Sequence, residues 1–265
     1  MISKRVEKAL AAYNEKDIHA SKQAHEKSAI ENDLHGQSFS GRYIGDFVYG
    51  ALDGIITTFA VVAAVAGAKL SAGIILIVGF ANLFGDGFSM ATGNYLSTKA
   101  EREFHKQERK REEWEIENVR DGEVEEIRQI YMKKGFKGRD LDRAVKIITS
   151  NKKIWVDTMM LEELNISPPD KEPWQSALAT FISFISIGFI PLLSFVFAYA
   201  FPELVSHAFT LSIWLTAFAL FSVGAAKVMV TKRNWLRSGL EMLIVGGFAA
   251  TIAYLVGYFL KGFGA

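Results

Sequence analysis

A 265-residue chain with 50% hydrophobic residues, 22% charged residues and a formal net charge of +1 offers no electrostatic case for a nucleic-acid partner. It has no cysteine, which excludes disulfides and thiolate metal sites, so any metal must be held by carboxylate, imidazole, thioether or carbonyl groups. The mean hydropathy of only +0.16 averages two segregated populations, long charge-poor stretches and one densely charged segment, as expected when lipid solvates one part and water the other.

Residues 1–42 are polar, carry His19, His25 and His35, and read as a segment rather than a domain; Val6, Leu10 and Tyr13 would share a helix face. No apolar run precedes a small-residue cleavage site, so the first hydrophobic helix is expected to direct membrane insertion itself. That helix runs from about Gly45 to Ala68, interrupted by charge only at Asp46 and Asp53. After a break at Lys69-Leu70-Ser71, a second apolar stretch covers Ala72 to Ser97, with Asp86 inside it.

The charged segment follows, from Thr98 to Pro173, and predicts three helices. The first continues from the second membrane helix to about Asn118 and breaks near Asp121-Gly122. The second covers Glu123 to Lys134 and ends at Gly135. The third runs from Asp140 to Leu164, and Pro168 and Pro169 prevent its continuation. Trp174 anchors re-entry at the membrane interface. Three further apolar stretches follow: Trp174 to Phe201 with a kink at Pro191, Val205 to Val230, and Ser238 to Leu260 with Glu241 near its start. Each of the five exceeds the roughly 20 helical residues that cross a hydrocarbon core.

The predicted fold is therefore all-α: a five-helix transmembrane bundle with a three-helix domain inserted between the second and third membrane helices. The parts are residues 1–42, 43–97, 98–173 and 174–265. Lys232, Arg233 and Arg237 crowd the loop after the fourth helix, whereas the first loop has only Lys69 and the third has Glu203 and His207. The positive-inside rule places the N-terminus, the charged segment and the basic loop in the cytoplasm, with the C-terminus on the opposite side.

Charges inside the bilayer carry the chemical argument. An Asp at the centre of a membrane helix costs about 2.5–3.5 kcal/mol on insertion scales, so Asp53 and Asp86 are read as functional before they are read as neutral hydrogen-bonded groups. Asn82, Asp86, Met90 and Asn94 are spaced by four and form one stripe of oxygen and thioether donors. Oxygen alone suits hard ions, and added sulfur shifts preference towards softer transition metals, although a lone Met in such a helix also fits ordinary packing. Gly50 and Gly54, and Gly85, Ser89 and Gly93, are small-xxx-small pairs that let backbones approach, between neighbouring helices or across a dimer.

In the charged segment, Glu112 with Glu115, Glu123 with Glu126, and Met159, Met160 and Glu163 each project from one helix face. If the three helices fold together, these groups converge on a water-accessible divalent-metal site. Taken singly, the glutamates fit solvated faces, and the Met pair beside Glu162 and Glu163 fits core packing. The histidines, including His105, show no ligand spacing and are expected to be solvated. No nucleophile–base pair and no phosphate-cradling loop is present, so an enzyme is not expected, nor a prosthetic group.

Three motifs together carry a family resemblance. They are Gly50-Ala51-Leu52-Asp53-Gly54-Ile55-Ile56-Thr57-Thr58, the run from Gly79 to Met90 with Tyr95-Leu96-Ser97, and Met159-Met160-Leu161-Glu162-Glu163-Leu164 with the spaced glutamates before it. From Tyr43 to the C-terminus the chain resembles the vacuolar iron transporter family, which includes yeast-type calcium-cross-complementer proteins and bacterial and archaeal relatives. The resemblance implies a five-helix protomer, a homodimer with the ion path between protomers, and exchange of cytosolic ferrous iron for protons. Manganese, cobalt, nickel and zinc are further substrates it implies. Asp53 and Met90 carry over as path residues, and Glu112, Glu115, Glu123, Glu126, Met159, Met160 and Glu163 as the cytoplasmic metal-binding set. Asn94 departs from the pattern, since many relatives have Glu there, and Asp86 is the carboxylate at hand in its place. The N-terminal segment is too short for the ferritin-like domain of some relatives and lacks its paired Glu-x-x-His motifs. The membrane is the cell membrane in a prokaryote and a vacuolar-type membrane in a eukaryote. The rival reading is a membrane-anchored metal sensor or store without transport.

Overall fold

The computed structural model describes residues 4–27, 29, 42–228 and 234–263. His35, and Lys232 and Arg233 of the basic loop, lie outside the described residues, which form helices and no strands. The helices are α1 (Lys4–Glu15), α2 (Ile18–Ala24), α3 (Ile44–Gly67), α4 (Ala72–Asn118), α5 (Arg120–Lys133), α6 (Gly138–Thr149), α7 (Lys152–Glu162), α8 (Pro173–Gly188), α9 (Ile190–Ala200), α10 (Ala208–Ala226) and α11 (Trp235–Leu260). Short 3₁₀ turns cover Pro202–His207 and Lys261–Phe263. The chain divides into two compact units, Met1–Tyr95 with Pro173–Ala265, and Leu96–Glu172.

Among the described residues of the first unit, four helices are long and apolar enough to cross a membrane: α3, α4, α10 with the turn before it, and α11. The bent pair α8 and α9, meeting at 45°, is a fifth candidate span. The kink expected at Pro191 is present. Proline lacks the N–H that the Ile187 carbonyl would accept, and the helix breaks at Phe189. The Ser212 hydroxyl donates to the Pro191 carbonyl at 2.7 Å, tying α10 to the bend.

Lipid offers no hydrophobic drive for helices to associate, so close packing depends on small residues. Gly50 and Gly54 of α3 fulfil that expectation. A Cβ built on Gly54 would lie 2.6 Å from the Phe184 carbonyl oxygen, and one on Gly50 would meet Ser183 and the Thr180 carbonyl. Gly188 presses back against Gly54. At the other end of α3, Gly67 faces the α11 backbone at Tyr254, and Gly257 faces Ala64. Helix α3 is thus the centre of the unit, flanked by α8 and α11. The other glycine stripe behaves differently: Gly85, Ser89 and Gly93 are exposed, and a Cβ at Gly85 or Gly93 would touch nothing. The membrane half of α4 is held along its opposite face, by Ile75, Leu83, Gly79 and Gly87 against Phe184, Ile185 and Leu192.

The N-terminal helices α1 and α2 pack on each other, and Ala12 and Ala24 are buried on them. The face of Val6 and Tyr13 is not their seam, since Tyr13 is 65% exposed. His19 and His25 are exposed, His25 donating from Nδ1 to the Ser21 carbonyl at 2.7 Å, and His105 is half-buried.

In the second unit, α4 continues unbroken from the apolar stretch to Asn118, as the sequence predicts. The chain turns at Val119, slightly before the expected break. The third predicted helix, Asp140 to Leu164, is instead two helices, α6 and α7. No Gly or Pro marks this break. The Asn151 side chain makes it, accepting from the N–H groups of Lys153 at 3.0 Å and Ile154 at 3.2 Å, and so satisfying two donors that open α7. One core holds the four helices together: Ile116 of α4, Ile127 of α5, Leu141 and Val145 of α6, and Trp155, Val156, Met159 and Met160 of α7. Each fully buried large apolar side chain contributes about 1.5–3 kcal/mol, which suits a unit with no other large core.

Candidate functional site

The second unit gathers its acidic groups directly above this core. Glu112 stands one turn before Ile116, and Glu123 one turn before Ile127, so the periodicity that buries the isoleucines also draws the carboxylates inward. Glu112 is 1% exposed and Glu123 is 6% exposed. With the half-buried Glu115 they form a triad in which one carboxylate oxygen from each residue lies within 4.8 Å of the others. Opposite ligands on an ion bound at about 2.1–2.4 Å are about 4–5 Å apart, so the spread suits a single divalent cation.

The electrostatics agree. No protein donor reaches Glu112 Oε2 or Glu123 Oε2, although both atoms are buried. A buried carboxylate without a partner is costly unless a cation or proton compensates it. Burial, then repulsion from Glu163, raises the Glu112 carboxyl to about 7, against the opposing pull of Arg111. Burial, then repulsion from Glu126 and Glu112, raises Glu123 to about 7 as well. Glu163 moves in the same direction, through desolvation first and Glu126 second. Five of the glutamates picked out by spacing therefore feel one another: Glu112, Glu115 and Glu123 at the centre, with the exposed Glu126 and Glu163 nearby.

Met159 and Met160, at 0% and 2% exposed, are packed in the core beneath, on the helix turn that precedes Glu163. Spacing alone missed Arg111. Its Nη2 lies 3.0 Å from Glu108 Oε2 and 3.2 Å from Glu112 Oε1, and its Nη1 is 3.7 Å from Glu115 Oε2. One guanidinium thus stands among three carboxylates. Its i−3 and i+4 relations to Glu108 and Glu115 were the signal in the sequence.

In the membrane unit, Asp53 of α3 and Asp86 of α4 are both half-buried and close enough for their charges to interact. Asn82, Met90 and Asn94 lie on the same half-buried stripe of α4. Asn82 Nδ2 is buried with no acceptor, and Met90 packs beside the core of Phe184, Leu83 and Leu192. Asn94 is held in place. Its Nδ2 donates to Thr180 Oγ1 at 2.6 Å and approaches Asp46 Oδ1 at 3.3 Å and the Ser176 carbonyl at 3.4 Å. Where a Glu would put a second carboxylate beside Asp46, Asn supplies a donor instead. Asp46, Ser176 and Thr180 are polar partners that the sequence reading did not assign. Glu241 is exposed on α11 and joins neither group.

The model of the VIT family matches residues 44–258. A vacuolar iron transporter of Toxoplasma gondii is 36% identical over 266 residues, covering 96% of this chain and 88% of that protein. One from Plasmodium falciparum is 35% identical over 98% of both chains. Vacuolar iron transporter 1 of Arabidopsis thaliana is 34% identical over 81% of this chain and 85% of its own length.

Proposed function

The chain belongs to the VIT family, and on that premise we propose that this multi-pass membrane protein, a transporter rather than an enzyme, moves ferrous iron out of the cytoplasm in exchange for protons. One observation carries the reading: three carboxylates converge within 4.8 Å, two of them buried with an oxygen that no protein donor reaches. In this reading residues 98–173 are a cytoplasmic collecting domain. Glu112, Glu115 and Glu123 bind the ion first, and Glu126 and Glu163 add field strength. Met159 and Met160, in the core beneath, are the thioethers at hand to favour softer ions such as iron, cobalt, nickel or zinc, and the carboxylates alone suit manganese.

From there the ion enters the membrane along the α4 stripe, past Asn94 and Met90 with Asn82 beyond, to Asp86 and Asp53. Two neighbouring carboxylates bind a divalent ion well when both are ionised and release it when protonated, which couples outward metal movement to inward proton movement. The exposed Gly85, Ser89 and Gly93 stripe supports a homodimer in which this face of α4 meets its copy, with the ion path between protomers. The N-terminus is cytoplasmic and the C-terminus lies on the other side.

Reconstituted vesicles carrying a proton gradient test the proposal. Ferrous uptake should depend on the gradient and should fall in both Asp53→Ala and Met90→Leu. Normal flux in both variants would remove the path assignment. Metal binding with no flux in the unmodified chain would favour a membrane-anchored store instead.

A further inference from the structure

The unit Leu96–Glu172 is electrically polarised, and its second pole is not used by metal binding. Residues 101–126 hold eleven acidic and six basic side chains, whereas residues 133–153 hold eight Lys or Arg against Asp140 and Asp142 alone. Two of those eight are neutralised: Lys134 pairs with Glu162 at 2.5 Å, and Lys152 pairs with Glu117. Asp142 is itself taken by Arg128 at 2.7 Å. The other six, Lys133, Lys137, Arg139, Arg143, Lys146 and Lys153, are exposed and form no ion pair among the described residues. A domain that concentrates cations gains nothing from six unpaired positive charges, so this face answers to something else.

The helical register shows how the face is built. On α6, Leu141, Val145 and Ile148 point into the core. Arg139, Arg143 and Lys146 repeat the same spacing on the opposite side, with Ile147 beside them, 55% exposed. The turn before α6 extends the patch. Lys134, Phe136, Lys137, Arg143 and Ile147 line one shallow depression of about 550 Å³ together with a single carboxylate, Asp140, and Phe136 is 40% exposed. An exposed aromatic and an aliphatic side chain among more cations than the one carboxylate, Asp140, can balance is the composition of a surface that lies on charged lipid. The apolar groups reach the acyl boundary and the cations meet the headgroups.

We propose that this face, from Lys133 to Lys146, docks on an anionic bilayer surface. Both ends of the unit run into membrane helices, so the leaflet is a tethered partner at high effective concentration, and weak contacts suffice. Each Lys or Arg near an anionic leaflet contributes about fivefold to such docking, and salt weakens it as the Debye length falls from about 10 Å at 0.1 M to about 3 Å at 1 M. The proposal rests on the membrane assignment and not on the metal reading.

The absence of cysteine makes the test clean. Full-length Phe136→Cys and Ile147→Cys, labelled with an environment-sensitive fluorophore, would be placed in nanodiscs of phosphatidylcholine with or without phosphatidylglycerol. Val119→Cys, 52% exposed and outside the patch, is the control. Both patch labels should be shielded from aqueous acrylamide only in the anionic discs, and high salt should expose them. The combination Lys137→Gln, Arg139→Gln, Arg143→Gln and Lys146→Gln should weaken docking by roughly fivefold per charge removed and so abolish the shielding. Equal accessibility in both lipids would overturn the proposal. So would shielding that is the same in neutral discs, which would mark a contact with protein. The lipid comparison needs no charge variant, so a folding defect in the quadruple variant leaves it decisive.

Discussion

Lowering the pH from about 7.5 to about 5.5 is expected to weaken divalent-ion binding at the glutamate triad by roughly a hundredfold. Burial with carboxylate repulsion raises Glu112 and Glu123 to about 7. A carboxylate must release its proton to hold a cation. Over that interval, one group titrating near 7 loses about 25-fold in its ionised fraction, and two independent groups lose about 600-fold. Glu112 and Glu123 repel each other, so protonating one eases the other, and the combined loss falls back towards roughly a hundredfold. Ordinary glutamates would lose only about 1.2-fold over the same range. The assay is calorimetric titration of the full chain in detergent with manganous ion, which does not oxidise as ferrous ion does. It should also register release of about one proton per ion at neutral pH. A change in affinity below about threefold would refute the argument that burial sets the chemistry of this site. Stability should move the other way. Folding raises these carboxyls, so their contribution favours the folded state in acid and is lost as pH rises from about 4.5 through about 7. In chelator the unit should therefore melt at lower temperature at pH 7.5 than at pH 5.5, and added manganous ion should reverse that order.

Glu112→Gln keeps the shape and removes the charge. It should cost at least the roughly tenfold in metal affinity that even outer-shell partners cost, while raising the melting temperature in chelator at pH 7.5. Arg111→Gln removes the guanidinium that competes for the same three carboxylates, and should raise metal affinity by roughly fivefold, the upper end for a partly exposed ion pair. Gly54→Val forces atoms into the Phe184 backbone and should destabilise the membrane unit by about 1–3 kcal/mol or more in thermal unfolding. Gly85→Val meets nothing within the protomer, so it should leave monomer melting unchanged and reduce cross-linked dimer if α4 forms the seam.

The legible part of this molecule is the part where one physical constraint acts alone. Lipid demands about 20 apolar residues per crossing, so α3 and α4 announce themselves closely, and α11 ends at Leu260 as expected but starts earlier, at Trp235 rather than Ser238. The break after Thr149 was not legible, because Ser150 and Asn151 carry no strong breaker signal. What ends α6 there is a side-chain cap, which competes only weakly with helix continuation in any single sequence. The direction in which the two glycine stripes face was also hidden. Both have the same spacing, yet only Gly50 and Gly54 meet a neighbouring backbone in the protomer, since spacing says that backbones approach and not which ones.

The glutamates show why a motif can be half visible. Spacing by three identifies pairs on a helix face, but Glu125 and Glu126, glutamates like Glu123, remain exposed. The difference is register against the core: Glu123 shares its face with Ile127, and Glu112 shares its own with Ile116. A carboxylate forced to that register cannot turn to water without unseating the isoleucine one turn away. The core therefore holds Glu112 and Glu123 in a costly position, and the same cost makes a divalent cation there worth more than at the exposed glutamates around it. On this argument Ile116 and Ile127 belong to the site as much as its ligands do. Ile127→Ala, which loosens the register and keeps every carboxylate, should weaken manganous binding and flatten its pH dependence together. Unchanged affinity with a lowered melting temperature would confine the isoleucines to the fold.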